Sequence, residues 1–249
     1  MTEEALAARL QACGIPHDPA LPGKLLRYHA LLMDWNSRMD LTAVTDEEEM
    51  IDRHYVDSLM ALTVPGLMDG IETLIDVGTG AGFPGLPLAL ALPGCRVTLL
   101  DAQRKRLDFL QAVIDELGVT NVNLMHSRAE DGARKPECRE RFDVAVARAV
   151  APLSVLAEYL LPYVKVGGKA ICWKGPALVE ELAQGRRAAF LLGGKAQEPI
   201  PCAIPGRDWQ HLLLSIHKTQ KTARQYPRKA GTPGKAPLGA SAKDRQEAP

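Results

Sequence analysis

Leu74-Ile75-Asp76-Val77-Gly78-Thr79-Gly80-Ala81-Gly82-Phe83-Pro84-Gly85 changes character halfway along. Its first four residues form a short, mostly apolar run suited to a buried parallel strand, and glycines then follow at 78, 80 and 82. The next residues, Leu86-Pro87-Leu88-Ala89-Leu90, read as the first turns of a helix. Prolines are tolerated there because first-turn N–H groups have no intrahelical partner. A strand that ends in a glycine loop and runs into a helix offers positive φ, close backbone approach and free N–H groups, which suits a nucleoside-bearing cofactor.

Outward from this stretch, strands alternate with helices, the pattern of a parallel sheet covered on both faces. Val97-Thr98-Leu99-Leu100-Asp101 is a second strand ending in an acid. A helix whose apolar positions are Leu107, Leu110, Ile114 and Leu117 follows, and Gly118 closes it. Further strands are expected over residues 122–125, 142–147 and 169–173, with helices over 153–161 and from Pro176 to about 192. Residues 197–204 and 209–216 then read as two strands joined around Gly206, and so short a turn pairs them antiparallel. A closing hairpin on a parallel sheet is common in methyl-transfer domains.

Before the sheet, Leu25, Tyr28, Leu32 and Trp35 mark one face of a helix over about 22–38. Ile51, Tyr55, Leu59 and Leu62 mark another, opened by Asp46 and the acids Glu47 to Glu49. The expected organisation is a helical subdomain over 1–65, a cofactor-binding α/β domain over 66–217, and a basic, partly disordered tail over 218–249.

Composition narrows the class. At 249 residues, 46% hydrophobic and 24% charged, the chain is an ordinary soluble globular one, and the leucine-rich run near residue 88 is too short to cross a bilayer. The N-terminus begins acidic and lacks the order of a signal peptide, so the cytoplasm is expected. Five cysteines without a C-x-x-C pair suggest neither disulfides nor a metal site. The formal net charge is zero, yet residues 1–60 carry eleven acids against five bases, and residues 207–249 carry nine bases against three acids. A basic end can meet a polyanion even when the whole protein is neutral.

Gly80, Gly82 and Gly85 satisfy G-x-G-x-x-G, with Asp101 about 20 residues on, so a dinucleotide such as NAD has to be weighed. Asp76 argues otherwise. It makes the pattern D-x-G-x-G-x-G, that of S-adenosylmethionine sites, where a carboxylate can hold the cationic amino end of the methionine moiety but would repel a pyrophosphate. Asp101 is placed for ribose hydroxyls and Ala129-Glu130 for the adenosine, at the C-terminal ends of successive strands, where open α/β sheets bind ligands. Each acid has a plainer use as well, Asp101 as a helix cap and Glu130 as a first-turn residue.

The acceptor follows partly by elimination. After the fourth strand the chain reads Ala147-Arg148-Ala149-Val150-Ala151-Pro152, without the Asn or Asp-Pro-Pro-aromatic loop common in amino-group methyltransferases. Pro201-Cys202 resembles the nucleophile pair of carbon-5 pyrimidine methylation but lies far from that loop, so Cys202 reads as a packed strand residue. An acceptor that already carries a lone pair, such as a guanine N7, needs orientation and no general base. Arg148 is the residue placed beside donor and target, with an ion pair to a nearby acid as its compatible structural use.

Several motifs resemble one family, the bacterial small-subunit ribosomal RNA guanine-N7 methyltransferases, long called glucose-inhibited division protein B. They include Trp35-Asn36, Leu41-Thr42, Arg53-His54-Tyr55-Val56-Asp57-Ser58, residues 76–85, Lys105-Arg106 with Phe109-Leu110, and Arg128-Ala129-Glu130. Arg148-Ala149, Lys174-Gly175 and Tyr226-Pro227-Arg228-Lys229-Ala230-Gly231 complete them. The resemblance implies a doubly wound, mostly parallel, seven-stranded Rossmann-like sheet and methylation of a guanine N7 in the 530 loop of 16S ribosomal RNA, free or in the small subunit. It also implies donor contacts at Gly78, Phe83, Ala129, Glu130 and Arg148. Asp40 departs from the family's usual Asn, so it cannot donate an amide hydrogen bond to RNA. In the basic end, Arg224, Arg228 and Lys229 would meet phosphates and Tyr226 would stack on a base. A small-molecule methyltransferase, an NAD-dependent oxidoreductase and a noncatalytic RNA-binding protein remain as alternatives.

Overall fold

The computed structural model describes residues 1–44 and 46–240. They form two compact units, Met1–His126 with Cys202–Trp209, and Ser127–Pro201 with the residues from Gln210 onward.

In the first unit, Thr2 caps the helix Glu3–Ala12 by accepting a bond from the Ala5 N–H, and Gly14 takes positive φ just past its end. The helix Leu21–Asn36 buries Leu25, Tyr28 and Leu32, the face that its spacing predicts. The third helix differs from expectation. It opens on Asp46, which accepts from the Glu49 N–H, but widens to a π-helix over Ile51–Val56 before returning to α geometry at Asp57–Leu59. The wider turn places Asp52 on the buried side beside Ile51, Tyr55 and Val56.

Asp52 is 2% exposed and is held there by two guanidiniums, Arg9 at 2.7 and 2.8 Å and Arg207 at 2.7 Å. Burial pushes its carboxyl up, but the bonds from Arg9 and Arg207 outweigh this and leave it below the ordinary carboxylate range. Arg207 comes from the returning segment Cys202–Trp209, whose Trp209 ring also lies under the Arg53 guanidinium at 4.3 Å. An ion pair and a cation–π contact therefore bind this segment into the first unit.

Three parallel strands, β1 (Thr73–Val77), β2 (Arg96–Asp101) and β3 (Val122–His126), stand in the order β3-β2-β1. The helices Gly85–Ala91 and Arg104–Leu117 connect them, and Gly118 ends the second in the left-handed conformation. The glycine loop joins β1 to the first of these helices at the C-terminal strand end.

The second unit holds β4 (Phe142–Arg148) parallel to β5 (Val164–Lys174), with β8 (His211–Lys218) antiparallel to β5. The strand expected over 197–204 is split. β6 (Gly194–Ala196) runs antiparallel to β8, and β7 (Ile200–Cys202) is a separate three-residue strand that also pairs with it. Pro199 and Pro201 have no N–H to donate, which interrupts the ladder. Hence eight strands occur among the described residues where seven are expected. The sheet is mostly parallel, as expected, with the antiparallel closing strands in this unit.

Residues 218–240, expected to begin a tail, are packed into the second unit, and residues 241–249 lie outside the described ones. The reason is a set of polar anchors. Arg139 donates to the carbonyls of Thr222, Ala223 and Tyr226, and Arg134 to that of Pro227. Glu140 accepts from the Thr222 N–H at 2.7 Å, while the fully buried Lys218 ammonium lies 3.3 Å from the same carboxylate and donates to the Leu161 carbonyl.

Burial pushes the Lys218 ammonium down to about 8, with Glu140 opposing and the Arg139 charge assisting. Between that value and the unfolded 10.5, the unfolded chain holds a proton that the folded chain has lost, so stability rises with pH across this window. Urea denaturation from pH 7.5 to 10.5 should show this rise in the parent protein and lose it in Lys218→Met.

Candidate functional site

The loop after β1 is built around one carboxylate. Asp76 is 0% exposed, and its Oδ2 accepts from the Thr79 hydroxyl at 2.7 Å and from the Gly85 N–H at 2.8 Å. The side chain expected to face a ligand's amino group joins, through Oδ2, the end of β1, the loop and the first turn of the following helix. Its buried position makes it an organiser of the loop. Gly78 and Thr79 donate to the Leu100 carbonyl at 2.8 and 3.0 Å, which fastens the loop's first half to β2.

The glycines have different uses. At Gly85 a Cβ would stand 2.6 Å from the Asp76 Cβ, and at Gly82 it would collide with the Tyr28 hydroxyl and with Leu110 at 2.8 Å. These two let protein pack against the loop. Gly80, at φ +59°, meets nothing within 4 Å, so its face of the loop is open to a ligand. The Gly80 N–H donates to Asp101 Oδ2 at 3.0 Å, and Asp101 Oδ1 accepts from the Gln103 N–H at 2.8 Å. Arg106 adds a contact to Asp101 at 3.3 Å. Asp101 thus holds the turn that leads into its helix, whose N-cap is Gln103 and not Asp101 as expected, and borders the open glycine at once.

Phe83 is 7% exposed within an aromatic cluster. Its ring lies nearly parallel to Tyr28 (5.4 Å) and His54 (4.9 Å) and edge-on to Tyr55 (5.1 Å). Its observed contacts are with the helices preceding the sheet. Tyr28 was expected only as an apolar face residue, and its bond to the loop carries no signal in the sequence beyond its helical spacing.

In the second unit, Ala129 and Glu130 open the short helix Ala129–Gly132. The Ala129 carbonyl accepts from the Tyr163 hydroxyl at 2.7 Å, and Glu130, 2% exposed, accepts from the Gly231 N–H at 2.7 Å. Arg148 is the half-buried last residue of β4, followed by Ala149 at φ +53°.

Among the expected RNA contacts, Arg224 and Lys229 are exposed and Tyr226 is half-buried. Arg228 is half-buried and bonded to an acid. Its guanidinium and backbone N–H both bond Glu158, whose side chain is 0% exposed, at 2.6 to 3.1 Å. Sequence reasoning missed Glu158 because a lone acid in an otherwise apolar helix does not disclose its distant partner. Among the described residues, no group of three His, Cys, Asp or Glu side chains is placed to hold a metal ion, and no helix is long and apolar enough to cross a membrane.

A family model described as GidB, rRNA small subunit methyltransferase G, matches residues 22–208. A protein of Alkaliphilus metalliredigens named ribosomal RNA small subunit methyltransferase G is 47% identical over 228 residues, spanning 92% of this chain and 95% of that protein. One of the same name from Leuconostoc mesenteroides is 43% identical over 239 residues, spanning 96% and 100%. Among solved structures, a chain of the Haloferax volcanii Trm112 methyltransferase activator complex superposes with a TM-score of 0.51 at 18% identity. It covers 72% of this chain and 100% of that one, a likeness of fold.

Gly85→Ala should lower unfolding free energy by about 1–3 kcal/mol, because the added methyl meets Asp76 and Leu99 in a closed space. Gly80→Ala, with open space around it, should lose only the roughly 1–2 kcal/mol of left-handed backbone strain. Paired urea titrations check the order.

Proposed function

Because the chain belongs to the rRNA small subunit methyltransferase G family, we propose that it methylates the N7 of a guanine in the 530 loop of 16S ribosomal RNA. S-adenosylmethionine is its methyl donor. The observation that carries the reading is the loop at Gly80, an open glycine at positive φ whose N–H is fixed to Asp101 beside the C-terminal ends of parallel strands.

That loop fits the donor. Gly78 and Gly80 supply close backbone approach, and Asp101 supplies a carboxylate for the ribose hydroxyls. Asp76 shapes the loop from beneath through Thr79 and Gly85. Phe83, Ala129, Glu130 and Arg148 are proposed as further donor contacts because they match the family's motifs. When bound, the donor supplies a methyl group activated by its sulfonium. A guanine N7 offers its lone pair without losing a proton, so the chain need only align nitrogen, methyl and sulfur and keep water out. Arg148 is assigned to that alignment.

For the RNA, residues 209–243 contain no Asp or Glu, and Lys221, Arg224 and Lys229 stand exposed along a segment that Arg134 and Arg139 hold in place. This acid-free stretch suits a phosphate backbone. The substrate is the RNA itself or the assembled small subunit, and the site of action is the cytoplasm.

Mapping methylated guanines in ribosomal RNA from cells with and without the protein tests the assignment; an unchanged 530 loop overturns it. The two kinds of arginine should also separate. Arg224→Ala with Lys229→Ala should reduce the salt slope of RNA binding by about one per residue and leave thermal stability unchanged. Arg228→Ala, which strands a buried Glu158, should lower stability by about 3–5 kcal/mol.

A further inference from the structure

Tyr28 belongs to the helix Leu21–Asn36 and is 0% exposed, yet it spends its hydroxyl on the glycine loop, donating to the Ala81 carbonyl. That carbonyl lies between Gly80 and Gly82, two residues at positive φ (+59° and +103°) whose N–H groups are bonded to Asp101 and to the Thr79 carbonyl. The loop's first half is bonded to β2 through Gly78 and Thr79. Its second half is turned by the Gly82 and Phe83 N–H groups donating to the Thr79 carbonyl and by Gly85 donating to Asp76, and it gains further holders from the helices that precede the sheet.

Phe83 is the other point of attachment. Its ring is near-parallel to those of both Tyr28 (15°) and His54 (22°). His54 Nε2 lies 2.8 Å from Thr42 Oγ1, and Asn36 pins that turn by accepting from the Leu41 and Thr42 N–H groups and donating to the Thr42 carbonyl. The π-helical turn Ile51–Val56 carries both His54 and Tyr55 to this cluster. The loop's N–H groups are thereby taken by main chain and carboxylates, while the Ala81 carbonyl is taken by a hydroxyl from a stack of rings.

We propose that Tyr28 is a positioning residue for the methyl-donor loop. Its hydroxyl fixes the plane of the peptide after Ala81 and so keeps the open face at Gly80 in its ligand-ready shape. The inference rests on the donor reading of that loop and goes beyond it, since Tyr28 itself acts only through Ala81 and Phe83. Its ring buries apolar surface whether or not the hydroxyl is present, so the two contributions can be separated.

Tyr28→Phe keeps the ring and removes the bond. Calorimetry with S-adenosylhomocysteine should show affinity weakened about three- to tenfold, the range of one net hydrogen bond. The KM for the donor should rise by the same factor, while kcat at saturating donor and the KM for RNA stay at the parent values. Thr42→Val, which removes a partner of His54 without touching the loop, should weaken S-adenosylhomocysteine binding in the same direction but less. Unchanged affinity in Tyr28→Phe overturns the proposal, as does a loss in which both KM values and the melting temperature move together. If the parent protein fails to bind S-adenosylhomocysteine, the donor reading itself falls. Parent binding with an equally tight Tyr28→Phe variant defeats only the role of Tyr28.

Discussion

The buried carboxylate of Asp76 is the constraint on which the first unit depends. A lone acid in the core of a parallel sheet is costly unless its oxygens are engaged, and Oδ2 is met by the Thr79 hydroxyl and by the N–H of Gly85 at the next helix's start. The bonds make the strand end, the turn and the helix start one object. Gly85 is glycine because the carboxylate lies where its side chain would go. The open side of the loop is left to Gly80, and its N–H is fixed by a second acid, Asp101, from the neighbouring strand.

The second unit repeats this use of acids on its C-terminal segment. Glu140 takes the Thr222 N–H, Glu158 takes Arg228, and Glu130 takes the Gly231 N–H. Arg134 and Arg139 donate to carbonyls of the same segment. A stretch with little apolar content is thus ordered by polar anchors. The anchoring acids Glu130 and Glu158 are buried, Glu140 is half-buried and shared with Lys218, and Lys221, Arg224 and Lys229 stand exposed. Glu130 has a notable position in this scheme, since the residue that the family motif assigns to the donor is also the one that holds Gly231.

Much of this was legible before any coordinates. Periodicity located most of the longer helices and strands, and the caps Asp46 and Gly118 stand where their residue types require. Besides the packed segment 218–240, two local readings changed. The regular helix expected after Asp46 contains a π turn, within which Asp52 meets Arg9 and Arg207. The strand expected over 197–204 is divided at its prolines. The glycine loop was recognisable from spacing alone, but spacing could not say which glycine faces a ligand and which faces a neighbouring side chain.

The sequence by itself determined the order of elements, the glycine loop and, through motifs at both ends of the chain, the family. These depend on local periodicity and on short patterns that need no knowledge of what lies across the fold. Tertiary structure alone decided that Asp76 faces inward, that Tyr28 reaches the loop's backbone, and that Arg228 neutralises Glu158 while Arg224 and Lys229 stay exposed. The physical reason is separation along the chain. Tyr28 and Ala81 are 53 residues apart, and Arg228 and Glu158 are 70. A charge or hydroxyl shows its chemistry in sequence, whereas its partner, and so its role, is set by what folding brings within hydrogen-bond reach.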